Sequence, residues 1–226
     1  MFKEWPLGKP PTNLSRPELE QIKELGYNWT QPHEVVSLFE DKVAKFCGSK
    51  YAVAVDCCTH GLFLVLKYIN QPQKLYIPSH TYTSVPMYIK HAGYDFEFVD
   101  KEWSGVYQLE PLDIWDSAGR WTKDMYISGF QILSFQIKKR IPIGKGGMIL
   151  CNDYDAYKWF KKVCYDGRNL DLPYDQDNIE FYGWHYYMTP EDAARGIILM
   201  DTLPKINDDS HNNKSYPNLK NFNVFK

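Results

Sequence analysis

Residues 134–147 read SFQIKKRIPIGKGG. A hydroxyl, two adjacent amines and a glycine cluster sit on an irregular segment behind an apolar, β-type run. A lysine is a nucleophilic amine when the fold holds it near a carbonyl and lowers its pKa; otherwise it is a solvated charge. The GKGG turn is not a nucleotide phosphate loop, because no Ser or Thr follows the Lys and the upstream glycine spacing is absent. Two further loops offer complementary groups. In AVAVDCCTHGL a strand gives way to a helix at Thr59, a residue type suited to an N-cap. The amides and positive dipole end of such a helix start suit a phosphate, although a Thr that only caps its helix is an equal alternative. In IWDSAG an apolar run ends on Asp116. A buried carboxylate there needs a partner, and a turn or cap Asp is the plainer alternative. DCCTHG brings Cys57, Cys58 and His60 together, but paired CxxC spacing and a second ligand pair are missing, so no metal is expected.

The order of these groups is more informative than any one loop. A phosphate-type helix start, an aromatic residue, an Asp, a Ser and a Lys are the parts that hold pyridoxal 5'-phosphate. That cofactor needs an amine for its aldehyde, a carboxylate to keep its ring nitrogen protonated, a face for its ring and donors for its phosphate.

The elements that must position these groups follow from periodicity. PHEVVSLFEDKVAKFCG places Val35, Val36, Phe39, Val43 and Phe46 at helical spacing, with Gly48 as the stop. A short helix is expected near Pro17 to Leu25, after an extended N-terminal arm. YAVAV (51–55) reads as a buried strand, residues 59–69 as a helix, KLYIP as a strand, SVPMYIKHAG as a helix ended by Gly93. FEFVD, DIWD, QILSF and GMILC read as strands, and helices follow near Tyr154–Cys164 and Pro190–Leu203. Alternating strands and helices predict a three-layer α/β/α domain with a mainly parallel sheet, whose ligand edge lies beyond the strand C-termini. The expected division is a domain over residues 1–203 and a polar, poorly ordered tail over 204–226, where the composition turns to Asn, Asp, Ser and Lys.

Composition excludes several classes. The chain has 226 residues, a formal net charge of -2 and 24% charged residues, so nothing favours nucleic acid or an anionic membrane. No apolar run is long enough to span a bilayer, and the N-terminus lacks the apolar core of a signal peptide. Five cysteines scattered through apolar segments predict reduced thiols and a cytoplasmic setting. Aromatic residues reach 16%, which suits a large contact surface or pocket.

Several of these segments resemble, in register from about Val35 to Leu203, the DegT/DnrJ/EryC1/StrS family of sugar aminotransferases. FEDKVAKFCGSKYAVAVDCCTHGLFLVL is similar to the family segment ending in the phosphate loop, IPSHTYTSV to a PS-x-T-aromatic segment, and IWDSAG to a strand end reading EDAAQ. SFQIKKRIPIGKGGMIL resembles SF-x-x-x-K followed by G-x-GG, and GWHYYMTPEDAARGIILMDTL resembles a segment that reaches the partner subunit's site. The resemblance implies the large domain of the type I, aspartate-aminotransferase-like fold with pyridoxal phosphate. It implies Thr59, Cys58 and His60 at the phosphate loop, Tyr82 against the cofactor ring, Asp116 on its nitrogen and Ser134 on its phosphate. Counting five residues on from Ser134 selects Lys139, not Lys138, as the catalytic amine. His185 would reach across a homodimer with shared sites. The implied substrates are a nucleotide sugar and an amino acid such as glutamate.

The chain also departs from the family pattern. Cys58 replaces a phosphate-loop Gly, Gly119 stands where a Gln touches the ring oxygen, His185 replaces an Asn and Tyr187 an Arg. The segment between Asp100 and Asp116 is short, and the small C-terminal domain is missing after about Leu203. Two classes therefore stay open: a working aminotransferase, or a non-catalytic binding or interaction protein on the same fold. A sugar dehydrase is disfavoured, since such relatives replace the lysine with His. Adjacent residues point in different directions, so Lys138 is expected to be solvated or near a partner. His60 and His80 flank the proposed site, and a lone His near a loop is more often structural.

Overall fold

The computed structural model describes residues 16–31 and 33–226; most of the extended arm, residues 1–15, lies outside them. Helices α1 (Pro17–Glu24) and α2 (Glu34–Cys47) form where the apolar spacing and Pro17 predict them. Gly48 ends α2 in the left-handed region at φ 86°, which its lack of a Cβ permits. Strand β1 (Tyr51–Val55) leads into α3 (Cys58–Ile69), and β2 (Lys74–Pro78) into α4 (Ser84–His91). Then come β3 (Asp95–Val99), β4 (Tyr107–Gln108), β5 (Ile114–Asp116), β6 (Phe130–Ser134) and β7 (Gly147–Cys151). Helices α5 (Tyr154–Val163) and α6 (Pro190–Thr202) follow. Strand β4 carried no sequence signal, since two residues are too few for a period.

The central sheet runs β1-β7-β6-β5-β4, and β2-β3 form a second, parallel pair. The pairs are joined by mutual backbone bonds between Tyr76 and Glu110, at 2.7 and 3.2 Å. Pairing is parallel for β5–β6 and antiparallel for β1–β7, β6–β7 and β4–β5, so the sheet is more mixed than the alternation predicts. The cause is local. A parallel pair needs a long crossover, usually a helix, whereas residues 135–146 between β6 and β7 contain none and fold the chain straight back.

Both faces of the sheet are covered. On one face, Val53, Val55, Ile132 and Ile149 pack with α3, α4 and α5. On the other, Ala52, Ala54, Leu133, Met148 and Leu150 pack with α1, α2 and α6. That two-sided burial is why YAVAV and GMILC are continuous apolar runs rather than alternating ones. A buried ion pair ties the layers: Glu40 on α2 accepts the Ala54 amide at 2.8 Å and the Lys161 ammonium of α5 at 2.6 Å.

The C-terminal segment corrects one expectation. Residues 204–226 are packed, not loose: three short 3-10 turns (Asn213–Ser215, Leu219–Asn221, Asn223–Phe225) lie along the sheet edge, and Leu219 is fully buried. The polar composition misled because its charges find partners in the body. Asp209 pairs with Arg120 and Lys220 with Asp100.

Helix α6 approaches α2 closely at Gly196, where an added Cβ would meet the ring of Phe39 at 2.5 Å. Phe39 is fully buried and has no room to yield. The substitution Gly196→Ala should therefore destabilise the domain by about 1–3 kcal/mol through overpacking. Urea unfolding checks this; an unchanged midpoint would contradict the close packing.

Candidate functional site

The loops that follow β1, β2, β5 and β6 meet around one cavity of about 450 Å³. A space of that size suits a small organic ligand. Its walls include Cys58, Thr59, Tyr82, Asp116, Ser134 and Lys139, so six of the residues expected at the site converge there. His60 and His185 do not line it.

One wall is the first turn of α3. The cap is Cys57 rather than Thr59: its sulfur accepts the His60 amide at 3.4 Å, because the helix begins one residue earlier than expected. Thr59 lies inside the turn and shares a 2.8 Å hydrogen bond with Ser84. The first intrahelical bond is from the Gly61 amide to the Cys57 carbonyl, so the amides of Cys58 and Thr59 precede it and present the positive end of the helix. Gly147 makes this placement possible, since a Cβ there would meet the Cys58 nitrogen at 2.5 Å. Burial pushes the Cys58 thiol well above its usual value, so it stays protonated.

The opposite wall holds a carboxylate. Asp116, at the end of β5, is 8% exposed. Its oxygens accept from the Tyr107 hydroxyl at 2.7 Å and the Ala118 amide at 2.9 Å. The single Tyr107 proton goes to Asp116, so Thr81 donates to Tyr107 across their 2.6 Å contact. Burial raises the Asp116 pKa, against the lowering effect of those hydrogen bonds and of Lys139. Among the described residues no ion pair reaches this carboxylate, so it faces the cavity short of a cation.

Lys139 is half-buried and its pKa is lowered, first by burial, against the opposing charge of Asp116. Lys138 is exposed, as expected, yet it too borders the cavity. Strand alternation does not apply to this pair, because residues 136–139 form a turn closed by the Lys139 amide and the Gln136 carbonyl at 2.8 Å. Tyr82 stands at the mouth, 58% exposed. Ser134, at the end of β6, lines the cavity, as Thr59 and Ile132 do.

Other lining residues were not expected at the site: Trp103, Tyr107, Lys145, His211 and Tyr216. Lys145 belongs to the GKGG turn and pairs with Asp56 at 3.0 Å beside the start of α3. Its neighbours supplied the available sequence signal. Nothing marked Tyr216, which lies in the polar C-terminal segment.

His60 turns away from the cavity. Its ring stacks on Tyr186 at 3.7 Å, and its Nδ1 and Nε2 meet Asp56 at 2.6 Å and Tyr88 at 3.2 Å. Asp56, Cys57 and His60 bring possible ligand atoms within 4.8 Å. A metal needs a neutral imidazole, which the Asp56 bond opposes. His185 bonds Asp166 at 2.6 Å on an exposed surface.

The whole arrangement fits pyridoxal phosphate: an amine, a buried carboxylate that lacks a cation, and a helix start with hydroxyls at Thr59 and Ser134. Comparisons with known proteins agree. Residues 14–117 and 119–218 match the model of the DegT/DnrJ/EryC1/StrS aminotransferase family. The spore coat polysaccharide biosynthesis protein SpsC of Bacillus subtilis is 33% identical over 104 residues, 45% of this chain and 26% of SpsC. The fold is that of PseC from Helicobacter pylori, an aminotransferase involved in the biosynthesis of pseudoaminic acid. There the TM-score is 0.66 at 14% identity, covering 88% of this chain and 66% of PseC. Spr1654 from Streptococcus pneumoniae, solved in PLP and PMP forms, gives a TM-score of 0.65 at 16% identity, covering 89% of this chain and 67% of that one. The chain thus spans about two thirds of these structures.

The His60–Asp56 contact predicts a pH dependence. Burial pulls the imidazole pKa down, but the hydrogen bonds and charges of Asp56 and Cys57 outweigh it and push it up to about 9. A raised folded value means the contribution is complete below the ordinary value of 6.5 and is lost as pH rises through about 9. The urea midpoint should fall across that window, and His60→Gln should flatten the fall. An identical slope in both proteins would contradict the assignment.

Proposed function

The chain belongs to the DegT/DnrJ/EryC1/StrS aminotransferase family, and from that premise we propose that it is a pyridoxal 5'-phosphate-dependent aminotransferase acting on sugars. The finer reading is transfer of an amino group from an amino acid such as glutamate to a keto-sugar nucleotide. The observation that carries it is the meeting of a half-buried amine, Lys139, with a buried carboxylate short of a cation, Asp116, in one cavity. The printed roles of SpsC and PseC, in polysaccharide and pseudoaminic acid biosynthesis, support a sugar as acceptor.

The cofactor, when bound, supplies an electron sink for the carbon that carries the amino group. The chain supplies the rest. The hydroxyls of Thr59 and Ser134 and the amides of Cys58 and Thr59 would hold the phosphate, with Lys145 and Lys138 adding positive charge nearby. Asp116 would hold a proton on the ring nitrogen, and Tyr107 and Ala118 fix the carboxylate for that task. Tyr82 at the mouth would cover the ring. Lys139 Nζ would hold the aldehyde and, once free, would take a proton from the donor carbon and pass it to the cofactor's C4′. Burial disfavours the charged form of this amine, in the direction that a base requires.

His185 lies outside this cavity; in the homodimer we propose, it serves the second copy's site. The five cysteines are free thiols, in keeping with a cytoplasmic setting, and no described helix is long and apolar enough to cross a membrane. A second reading, a cofactor-binding protein without turnover, draws on Gly119. The position where the family carries a Gln is crowded, since a Cβ there would lie 3.1 Å from His211 and from the Gly105 Cα.

Purified protein mixed with pyridoxal phosphate should turn yellow, and borohydride should fix the pyridoxyl group on Lys139. Adding glutamate to the loaded protein should convert the absorbance to that of the pyridoxamine form. Lys139→Ala should slow that conversion about 10²–10⁴-fold, the range for loss of a general base. Loading without conversion would favour the binding-protein reading. A label on Lys138, or none, would overturn the site.

A further inference from the structure

The segment after Leu203 crosses the mouth of the cavity and is anchored on both sides. Arg120 donates to both Asp209 oxygens, at 2.9 and 2.8 Å. The Ser210 amide donates to the Gly119 carbonyl at 2.8 Å, and the Gly105 amide to the His211 carbonyl at 2.8 Å. Beyond the mouth, His80 Nδ1 lies 2.9 Å from the Tyr216 carbonyl, and the Leu219 amide donates to Ser79 at 2.8 Å. Between these anchors His211, Ser215 and Tyr216 face the cavity. The Tyr216 ring stands between Trp103 and His211, at 6.0 and 6.1 Å with interplanar angles of 24° and 25°. Its hydroxyl oxygen is 3.5 Å from Lys139 Nζ.

We propose that residues 209–219 form a wall of the cofactor cavity and that Tyr216 is a positioning residue for Lys139, holding its amine and shielding it from water. The proposal rests on the cofactor reading above and extends it to a residue outside the motif segments. It also accounts for Gly119: the wall occupies the space that a side chain there would need.

The groups facing Lys139 come from several elements. Asp116 from β5 favours its protonation, while the Cys58 thiol from α3 stays neutral. Lys138 and Arg140 flank it in sequence, Lys145 lines the same cavity, and His211 and Tyr216 come from the wall. Burial outweighs Asp116, so the amine loses protons more readily than an ordinary lysine. Burial, then Asp116, push the Tyr216 phenol up, so it stays neutral and brings no charge to steady an ammonium. Its effect on the amine is therefore bulk and one hydrogen bond. Losing the ring should admit water and restore ordinary lysine behaviour, whereas losing only the hydroxyl should not.

Competitive acetylation with acetic anhydride, from neutral to strongly alkaline pH, reads this without cofactor. Peptide mass spectrometry follows Lys139 separately from Lys138. In the unmodified chain the Lys139 labelling midpoint should lie below the ordinary lysine value. Tyr216→Ala should raise it to that value, and Tyr216→Phe should leave it low. A Lys139 midpoint already at the ordinary value, or one unmoved by Tyr216→Ala, would overturn the proposal; the first result needs no variant to fold. Borohydride labelling of the same proteins with pyridoxal phosphate separates the two readings. A pyridoxyl group on Lys139 with an ordinary midpoint removes only the role of Tyr216. A low midpoint without any pyridoxyl label removes the cofactor.

Discussion

A carboxylate taken out of water must be repaid by hydrogen bonds or by a cation, and Asp116 is given only the first within the described chain. Tyr107 and the Ala118 amide fix its two oxygens, and Thr81 fixes Tyr107 in turn. That relay comes from three separate pieces of chain: the end of β5, the strand β4 beside it, and the loop after β2. The strands β4 and β5 are held by sheet pairing and the Thr81 hydroxyl fixes Tyr107, so the carboxylate is held at the cavity wall. Much of the surrounding structure is arranged so that this charge is buried, fixed and on the cavity wall.

The amine opposite depends on a different kind of support. Lys139 sits in a turn between β6 and β7, where the chain doubles back without a crossover helix. Its position is set by that turn and by the C-terminal segment that closes over it. The same segment makes the first half of the chain and its last residues into one body, through Arg120–Asp209, Lys220–Asp100 and the buried Leu219. Stability and site geometry are therefore linked: loosening the segment would open the cavity and wet the amine together.

The sequence made most of the scaffold legible because the scaffold obeys period. Val35, Phe39 and Val43 fall on one helical face, and YAVAV and GMILC are apolar throughout because helices cover both faces of their sheet. The site was legible where a residue closes a strand or opens a helix, as Asp116, Ser134 and Thr59 do. Three features were not. Cys57 rather than Thr59 caps α3, since a sulfur acceptor is an unusual cap. His60 faces Tyr186 and Asp56, because a residue one position on in a helix turns by about 100° away from its neighbour. Tyr216 was hidden in Asn- and Asp-rich sequence, where composition suggests solvation and only long-range partners reveal packing.

The central claim is that Asp116 keeps a bound ring nitrogen protonated. Nitrogen-15 NMR of the protein loaded with ring-labelled pyridoxal phosphate tests it directly. The chemical shift should be that of a protonated pyridine nitrogen at neutral pH, and Asp116→Asn should move it to the unprotonated position. The same shift in both proteins would show that this carboxylate does not face the ring nitrogen.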